Sequence, residues 1–400
     1  MFIAIKKLLR PRFSSSTHGH YPPLPSPLFA IALFVLLFVV ALLPLQGVGT
    51  RSSSVLRTDE AGADLLEKKK GPSARQQIVL WEGSHPFVQR ATHDQGELSL
   101  LSWNICFLPW NLPSYFGGVA SAQERLEQVV QFIRESDADL VCLQEVHDLE
   151  ATKGLYEALK EDYYHFFTDS GSSWTVALNS GLFVASRYPL ELVDFTHFDY
   201  KGMAWGINKG YLTFLVYDGV EADRQPLALV TTTHLHPGQG EEREEVRRQE
   251  LEEIFQQIAH QLESNRWPLI AAFLCGDLNV NRGSTEWELS PLAREPWIDS
   301  YAGATEAIDS GNCTATSYLE AWQEKPRLLK QVEKDPTILD LYCQESIDYI
   351  LLLALERPML QEEIATWRLP AFAWRYPKEA LSDHHALLSR LRWQRSATSR

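Results

Sequence analysis

Two short polar segments adjoin apolar runs and carry side chains suited to hydrolytic chemistry. The sequence GDLN, residues 276–279, follows the run WPLIAAFLC, and SDH, residues 382–384, precedes HALLSRLRW. Runs of this kind predict buried strands, so Asp277 and Asn279 would leave one strand end on the same side. There they would bind an attacking water and a phosphate oxygen. Oxygen ligands next to an imidazole indicate metal-assisted hydrolysis of a phosphoester.

His384 is the candidate general base. An imidazole titrates near neutral pH and removes a proton from water when an acceptor holds its other nitrogen in the right tautomer. Asp348, a lone acid in the apolar run SIDYILLLAL, would be that acceptor, and Asp383 directly precedes the histidine. We therefore expect Asp348 to orient His384 and His385 to be a bystander.

Two other strand ends offer oxygen ligands for a metal ion. Glu145 closes the run ADLVCLQEV, and Asn104 follows the run LSLLSW. Mg²⁺ binds few protein carboxylates and keeps water and substrate phosphate in its remaining positions. The carboxylate of Glu145 and the amide oxygen of Asn104 meet that demand, so we expect a Mg²⁺ site here, with Mn²⁺ or another divalent cation as the alternative.

His234 ends a further strand-like run, LALVTTTHL. Its ring would donate a proton or a hydrogen bond to the non-bridging phosphate oxygens or to the leaving oxygen. Such electrostatic stabilisation of the transition state is often the dominant part of catalysis. His236, two residues further on, is assigned to the turn before Pro237.

Short apolar runs alternate with helical patterns along most of the chain. The helical patterns are AQERLEQVVQFIRES, residues 122–136, and EEREEVRRQELEEIFQQIAHQLES, residues 241–264. The second is heavily charged, and we expect a solvated helix that packs on the domain with one face. Strands interleaved with helices predict a layered α/β domain.

The order of these motifs resembles that of the endonuclease/exonuclease/phosphatase superfamily over about residues 97–393, most closely its neutral sphingomyelinase branch. The segments that carry the resemblance are SWNI, LQEV, SGLFVASRYPL, NKGYL, THLHPG, GDLN, IDYI and LSDHHAL. The resemblance implies a four-layer α/β sandwich of two mixed β-sheets flanked by helices, with the site at one end of the sheets. It also implies a Mg²⁺-dependent phosphodiesterase that converts sphingomyelin or a related phospholipid to a lipid alcohol (ceramide) and phosphocholine.

The same resemblance assigns Lys209, in NKGYL, to the substrate side of the site. Relatives often carry an acid a few residues before this lysine. Here Met203, Ala204 and Trp205 occupy that stretch, and Asp199 lies further back. This departure leaves the role of Lys209 open.

The N-terminal part is predicted to lie outside the catalytic domain. Leu28 to Leu45 are 18 uncharged residues, which is the length of a membrane span. The basic residues before them place the N-terminus in the cytosol. The long preamble, the long apolar core and the lack of a clear small-x-small cleavage site favour an uncleaved anchor over a signal peptide. The predicted parts are a basic tail (1–27), an anchor or signal sequence (28–49), a linker or stem (50–95) and a catalytic domain (96–395) with an insertion (309–344). The domain would be extracytoplasmic, or secreted if the segment is cleaved.

The five cysteines do not determine the redox compartment. Cys106, Cys142 and Cys275 lie in apolar runs and are predicted to be buried small hydrophobic residues. Cys313 and Cys343 flank a polar insertion and could form a disulfide in an oxidising compartment.

Charge and aromatic residues favour a lipid partner over nucleic acid. After residue 57 the chain has 31 basic and 52 acidic residues, a net charge of −21, which weighs against polyanion binding.

The loop CFLPWNLPSYFGGV contains aromatic residues that could bind a membrane or fill a small core under the loop. We expect a monomer acting on phospholipid membranes. The rivals are an extracytoplasmic nuclease and a non-catalytic effector or adhesin, and the full set of motif residues disfavours the second.

Overall fold

The computed structural model describes residues 78–88, 91–92, 94–109, 119–169, 179–198, 208–220, 222, 224–293, 297–301, 315–316, 343–355, 360–369 and 380–395. The predicted anchor (28–49), Cys313, most of the insertion (309–344) and the loop residues from Trp110 onward lie outside these residues. No helix within the described ranges is both long and apolar enough to cross a bilayer.

One mixed sheet has seven strands, numbered here along the chain. In spatial order they are β1 (Ile78–Glu82), β4 (His165–Asp169), β5 (Phe183–Ser186), β3 (Leu140–Val146), β2 (Gln95–Phe107), β15 (Ala386–Arg395) and β14 (Leu360–Leu369). Strands β2 and β3 are parallel, and the other neighbours are antiparallel.

The second mixed sheet has six strands. In spatial order they are β10 (Ile298–Asp299), β13 (Asp348–Ala354), β9 (Ala271–Asp277), β8 (Pro226–His234), β7 (Gly210–Tyr217) and β6 (Leu190–His197). Strands β8 and β9 are parallel, and the other neighbours are antiparallel. A separate small ladder pairs β11 (Ala315–Thr316) with β12 (Cys343–Glu345).

Helices cover the outer faces of both sheets. Helices α1 (Ala122–Ser136) and α2 (Leu149–Leu159) share a buried apolar cluster with the seven-stranded sheet. Helix α3 (Glu241–Asn265) shares another with the six-stranded sheet, and a short helix α4 (Thr285–Leu289) follows β9. Helix α1 begins with a capping box in which Ser121 and Glu124 bond each other's backbone N–H groups.

A third apolar cluster fills the space between the two sheets. It includes Leu100 and Val184 from the seven-stranded sheet and Phe214, Val230 and Phe273 from the six-stranded sheet. Burying each such side chain stabilises the fold by roughly 1.5–3 kcal/mol. The layers are therefore helix, sheet, sheet and helix, which confirms the predicted pair of mixed sheets with flanking helices.

The strand ends that carry the predicted site residues meet at one edge of each sheet. Because β2 and β3 are parallel, as are β8 and β9, the carboxyl ends of each pair share an edge. Strands β15, β7 and β13 run antiparallel to β2, β8 and β9, so they begin at those edges. The predicted residues are therefore assembled from strand starts as well as strand ends.

Two features correct the sequence predictions. Strand β1 lies inside the segment assigned to a stem, because it pairs with β4 and Trp81 packs on the ring of Tyr156 at 4.7 Å. The folded domain therefore begins before residue 95. Phe107, assigned to the aromatic loop, is fully buried at the end of β2. Cys106, Cys142 and Cys275 are buried, as predicted.

Candidate active site

The two sheets present facing rows of polar side chains in the order of their strands. The row on the seven-stranded sheet consists of Asn179 before β5, Glu145 in β3 and His147 just after it, Asn104 in β2, and His384 before β15. The row on the six-stranded sheet consists of Lys209 before β7, His234 in β8, Asp277 in β9 and Asp348 in β13. Four distances below 4 Å join members of opposite rows, and they are described below. All nine residues predicted for the site lie here, because Asn279 and Asp383 adjoin Asp277 and His384.

His384 and Asp348 form a buried hydrogen-bonded pair across the two sheets. Nδ1 of His384 lies 2.9 Å from Oδ2 of Asp348. The backbone of His384 is also fixed, because its N–H donates to Oγ of Ser382 and its carbonyl accepts from Nε1 of Trp103. Burial opposes the charged imidazole, but Asp348 and Asp277 outweigh it and hold the pKa of His384 well above its usual value. Because Nδ1 faces the carboxylate of Asp348, it carries a proton, and Nε2 faces Asp277.

Asp277 lies at the centre of the facing rows. Its Oδ2 accepts a 3.0 Å hydrogen bond from Nδ2 of Asn104 and lies 3.4 Å from Nε2 of His234 and 3.7 Å from Nε2 of His384. Its Oδ1 accepts from the N–H of Asn279, which has a left-handed φ of 53°. Burial raises the pKa of Asp277 to about 7, against the opposing charges of His384 and Lys209.

Gly276 allows β9 and β8 to approach closely just before Asp277. Its φ is 141°, and a Cβ atom there would lie 1.9 Å from the carbonyl oxygen of Thr233. An L side chain therefore cannot be placed without moving the neighbouring strand. The glycine of GDLN thus sets the position of the aspartate that follows it.

Glu145 has the properties of a cation ligand. Its side chain is 22% exposed, and Oε1 accepts one hydrogen bond, from Nδ2 of Asn104, at 3.1 Å. Within the described ranges no lysine or arginine forms an ion pair with it, and the nearest basic nitrogen is Nε2 of His234 at 3.9 Å. The residue has a φ of 60°, a strained conformation of the kind that clusters at functional sites. A partly exposed carboxylate without a cationic partner fits a divalent metal ion.

Asn104 presents its amide nitrogen, rather than its oxygen, to both carboxylates. Its Oδ1 accepts a 3.1 Å hydrogen bond from the N–H of Cys106, while Nδ2 donates to Glu145 and Asp277. The register of β2 and β3 shifts between Asn104 and Phe107, and this irregularity turns the Cys106 N–H toward the amide. The amide would have to rotate for Asn104 to offer oxygen to a metal, and its metal role stays a prediction.

A second position could hold a metal ion. One ligand atom each from Asp277, Asp348 and His384 lie within 4.8 Å of one another in buried surroundings. The hydrogen bond between His384 and Asp348 already uses part of this set, and a metal bound there would compete with it. We therefore favour Glu145 as the metal ligand and the His384–Asp348 pair as the base.

His234 and Lys209 are both buried beside Asp277. Burial and the charge of Lys209 hold the pKa of His234 well below its usual value, so the ring is neutral and suited to donating a hydrogen bond rather than a proton. Nζ of Lys209 donates to the carbonyl of Leu235 at 2.7 Å, and Nδ2 of Asn279 donates to the same oxygen at 3.2 Å. Burial lowers the pKa of Lys209 to about 8.

Helix α3 holds the turn that follows His234. Oε2 of Glu250 accepts from the N–H of His236 at 3.0 Å, and Arg247 donates to the carbonyls of His236 and Gly238. The helix packs on the domain as predicted, but these two charges are buried rather than solvated. Arg247 also forms a bidentate ion pair with Glu286.

Arg125 of helix α1 connects two parts of the site that are distant in sequence. Its guanidinium donates to the carbonyls of Ile105 at 2.8 Å and Cys106 at 2.5 Å, which follow Asn104. It also donates to Ala120 and to the carbonyl of Leu381, which precedes the Ser-Asp-His segment. Sequence reasoning missed Arg125, Arg247 and Glu250. The sequence signal that could have identified them is a charged residue at a helix position where the 3.6-residue periodicity predicts the buried apolar face.

His147 and Asn179 were also missed and lie beside Glu145. Nδ1 of His147 is 3.0 Å from Oδ1 of Asn179, and the same oxygen accepts from the N–H of Gly181 at 3.1 Å. A Cβ atom on Gly181 would lie 2.5 Å from the imidazole, so glycine makes room for the ring. No spacing pattern in the sequence identifies this pair.

The chain belongs to the endonuclease/exonuclease/phosphatase family, whose model matches residues 101–351, more than half of its length. Sphingomyelin phosphodiesterase 5 of Danio rerio is 30% identical over 218 residues, which cover 50% of this chain and 37% of the relative. Sphingomyelinase C 2 of Leptospira interrogans is 25% identical over 146 residues, covering 33% and 23%. The chain thus spans well under two thirds of both relatives.

Two crystal structures share the fold. SmcL superposes with a TM-score of 0.51 at 20% identity, covering 74% of this chain and 98% of that chain. A double mutant of the beta toxin from Staphylococcus aureus with bound magnesium ions gives a TM-score of 0.51 at 18% identity, covering 74% and 99%.

Proposed function

We propose that the protein is a Mg²⁺-dependent phosphodiesterase that hydrolyses sphingomyelin or a related phospholipid to a lipid alcohol, such as ceramide, and phosphocholine. The observation that carries the proposal is the His384–Asp348 pair, whose Nε2 lies 3.7 Å from Oδ2 of Asp277 among the polar side chains of the facing rows. The names of the two curated relatives supply the substrate class.

The chemistry follows from the positions of the chain's own groups. Nε2 of His384 takes a proton from water while Asp348 holds Nδ1, and the water oxygen bonds to phosphorus. The bond from phosphorus to the lipid oxygen breaks, and that oxygen takes a proton from solvent water. His384 later releases its own proton to solvent. Neutral His234 and charged Lys209 donate hydrogen bonds to the oxygens on which negative charge develops.

Glu145, with Asn104 after rotation of its amide, would hold the metal ion. When bound, a divalent cation neutralises charge on phosphate oxygens and offsets the carboxylates that raise the pKa of His384. The three carboxylates of Glu145, Asp277 and Asp348 give the site the negative charge that such a cation requires.

The partner we propose is a phospholipid membrane, with the catalytic domain extracytoplasmic. The support is the apolar segment 28–49 together with the aromatic residues Trp110, Tyr115 and Phe116 in the loop after β2. Changing Trp110 and Phe116 together to alanine would weaken binding to sphingomyelin vesicles by at least about tenfold if both rings insert. If the double variant instead loses as much activity on a short soluble phosphocholine ester as on sphingomyelin vesicles, the two rings belong to a small core under the loop.

Substrate assays with the full-length protein test the function. We would incubate it with sphingomyelin, phosphatidylcholine and plasmid DNA, each with Mg²⁺ or with EDTA, and use His384→Ala as the matched control. We expect Mg²⁺-dependent release of phosphocholine that the control lacks. Cleavage of DNA without release of phosphocholine would favour the nuclease, which the net charge of −21 after residue 57 disfavours.

A further inference from the structure

The imidazole of His147 is held in one tautomer by its neighbours. Oδ1 of Asn179 accepts a hydrogen bond from the backbone N–H of Gly181, which fixes which end of the amide is the oxygen. Nδ2 of Asn179 faces the carbonyl of Val146 at 3.5 Å, in agreement with that assignment. Nδ1 of His147, 3.0 Å from the same Oδ1, must therefore be the donor. The proton lies on Nδ1, and Nε2 carries a lone pair.

Within the described part of the chain, the side-chain hydrogen bond of the ring is made by Nδ1, and the residue is 5% exposed. Nε2 is not fully enclosed, so a water or a ligand can reach it and donate to it. The ring therefore offers one hydrogen-bond acceptor to whatever occupies the site next to Glu145.

The position of His147 in the row of strands determines what that occupant is. His384 enters the seven-stranded sheet beside β2, and His147 leaves it between β3 and β5. Glu145 and Asn104 lie between the two histidines. In an in-line displacement at phosphorus, the leaving oxygen departs opposite to the attacking water. Since His384 activates the water at one end, His147 lies toward the end where the leaving group departs.

The leaving group of a sphingomyelin carries hydrogen-bond donors close to its oxygen, whereas that of phosphatidylcholine does not. In the ceramide, the carbon next to the leaving C1–O group bears the amide N–H, and the following carbon bears a hydroxyl. In diacylglycerol the corresponding carbon bears an ester, which offers acceptors only. A lone-pair acceptor at this end of the site therefore discriminates between the two lipids.

We propose that Nε2 of His147 accepts a hydrogen bond from the amide N–H or the 3-hydroxyl of the ceramide leaving group and so favours sphingolipid over glycerolipid substrates. The proposal rests on the sphingomyelinase function proposed above and adds the residue that selects the lipid backbone. Glutamine can supply a similar acceptor at this position, and leucine cannot.

The test measures kcat/KM for sphingomyelin and for phosphatidylcholine in the same mixed micelles, using the full-length protein. We expect His147→Leu to lower the ratio of the two values roughly three- to tenfold, the worth of one neutral hydrogen bond. His147→Gln should restore most of the ratio. The matched control is His165→Leu. His165 starts β4 opposite Ser186, at the strand ends of the same sheet that lie away from the site, and it accepts a hydrogen bond from the Leu190 N–H. It should leave the ratio unchanged.

A second arm alters the substrate instead of the protein. Sphingomyelin that is N-methylated and lacks the 3-hydroxyl should lose the same factor with the unmodified protein, and His147→Leu should then cause no further loss. This arm decides the question if His147→Leu fails to fold. An unchanged ratio in folded His147→Leu, or equal rates on the two sphingomyelins, overturns the role of His147 while the proposed function stands. Absence of any sphingomyelin hydrolysis overturns both.

Discussion

Nε2 of His384 lies 3.7 Å from Oδ2 of Asp277, on the side of the ring opposite to its hydrogen bond with Asp348. Two carboxylates from neighbouring strands of one sheet thus flank an imidazole that belongs to the other sheet. The gap is too wide for a direct hydrogen bond and suits a water that both groups contact. The water that the base deprotonates is therefore expected to one side of these two atoms, in contact with both.

Removing the base should abolish most turnover without unfolding the protein. General-base catalysis contributes roughly 10²–10⁴-fold, so we expect His384→Ala to lower kcat by at least that factor. Asp348→Asn should also be severe, because an amide can hold the wrong tautomer of the ring. The measurement is kcat with the melting temperature as the control for folding.

The two residues should also act as one unit. If Asp348 works through His384, the double variant will be no slower than His384→Ala alone. If the loss of kcat in the double variant equals the product of the two single losses, Asp348 acts on the substrate independently of His384.

Metal binding should distinguish the two candidate positions. Glu145→Gln removes a charged ligand, and we expect it to weaken Mg²⁺ affinity by about tenfold or more, as measured by calorimetric titration. Asp348→Asn serves as the comparison, because Asp348 belongs to the alternative group with Asp277 and His384. A larger loss of affinity in Asp348→Asn would place the ion there and would contradict the base assignment.

Glu250 should make the folded state less stable as the pH rises. Burial raises its pKa to about 7 from 4.5, opposed by the His236 N–H and by Lys209. Between these values the native protein keeps the proton and the unfolded chain loses it, so unfolding becomes more favourable with rising pH. Glu250→Gln stays neutral and can still accept from the His236 N–H.

Denaturant titrations at several pH values check this linkage. We expect Glu250→Gln to gain ~1–3 kcal/mol in free energy of unfolding over the unmodified protein between pH 4.5 and 8. The exposed Glu263 of the same helix provides the control, and Glu263→Gln should show no such trend. A constant difference across this range would refute the buried, protonated carboxyl.

Arg125 should be required for both stability and turnover. Arg125→Met leaves the carbonyls of Ile105, Cys106 and Leu381 without their buried donor, and hydrogen bonds to a charged group contribute about 1.5–3 kcal/mol each. We expect a loss of more than about 3 kcal/mol in free energy of unfolding, together with lower kcat, because the carbonyls flank Asn104 and His384.

Arg134 of the same helix gives the matched control for Arg125. It is 43% exposed and pairs with Asp162 at 2.9 Å. Arg134→Met should cost less than about 1 kcal/mol and leave turnover intact. Equal losses in the two variants would mean that the helix itself, rather than the bonds of Arg125, stabilises the site.

Local sequence patterns predicted the elements and the residues at their ends. The run before Asp277 and the run after Asp348 became the adjacent strands β9 and β13, and the two predicted helices, α1 and α3, kept their bounds to within a residue. These features follow from side-chain periodicity, which acts over a few residues. The resemblance to a known family supplied the order in which the motifs combine.

The supporting contacts were not predictable in the same way. Trp103 bonds a residue 281 positions away, and Arg125 bonds one 256 positions away, so no local pattern reports them. The partner of His147 depends on the path of a loop before β5. The orientation of the Asn104 amide depends on one backbone N–H at the irregular end of β2. Such details arise from tertiary packing and became visible with the fold.

The position of β15 between β2 and β14 has a consequence for biosynthesis. The strand enters the sheet next to the strand that bears Asn104, and it brings His384, just before its start, into the site. Domains that form long-range pairings cannot complete them before the later strand has been synthesised. A nascent chain therefore lacks the hydrogen-bonded pair of His384 and Asp348 until β15 has been synthesised and has joined the sheet.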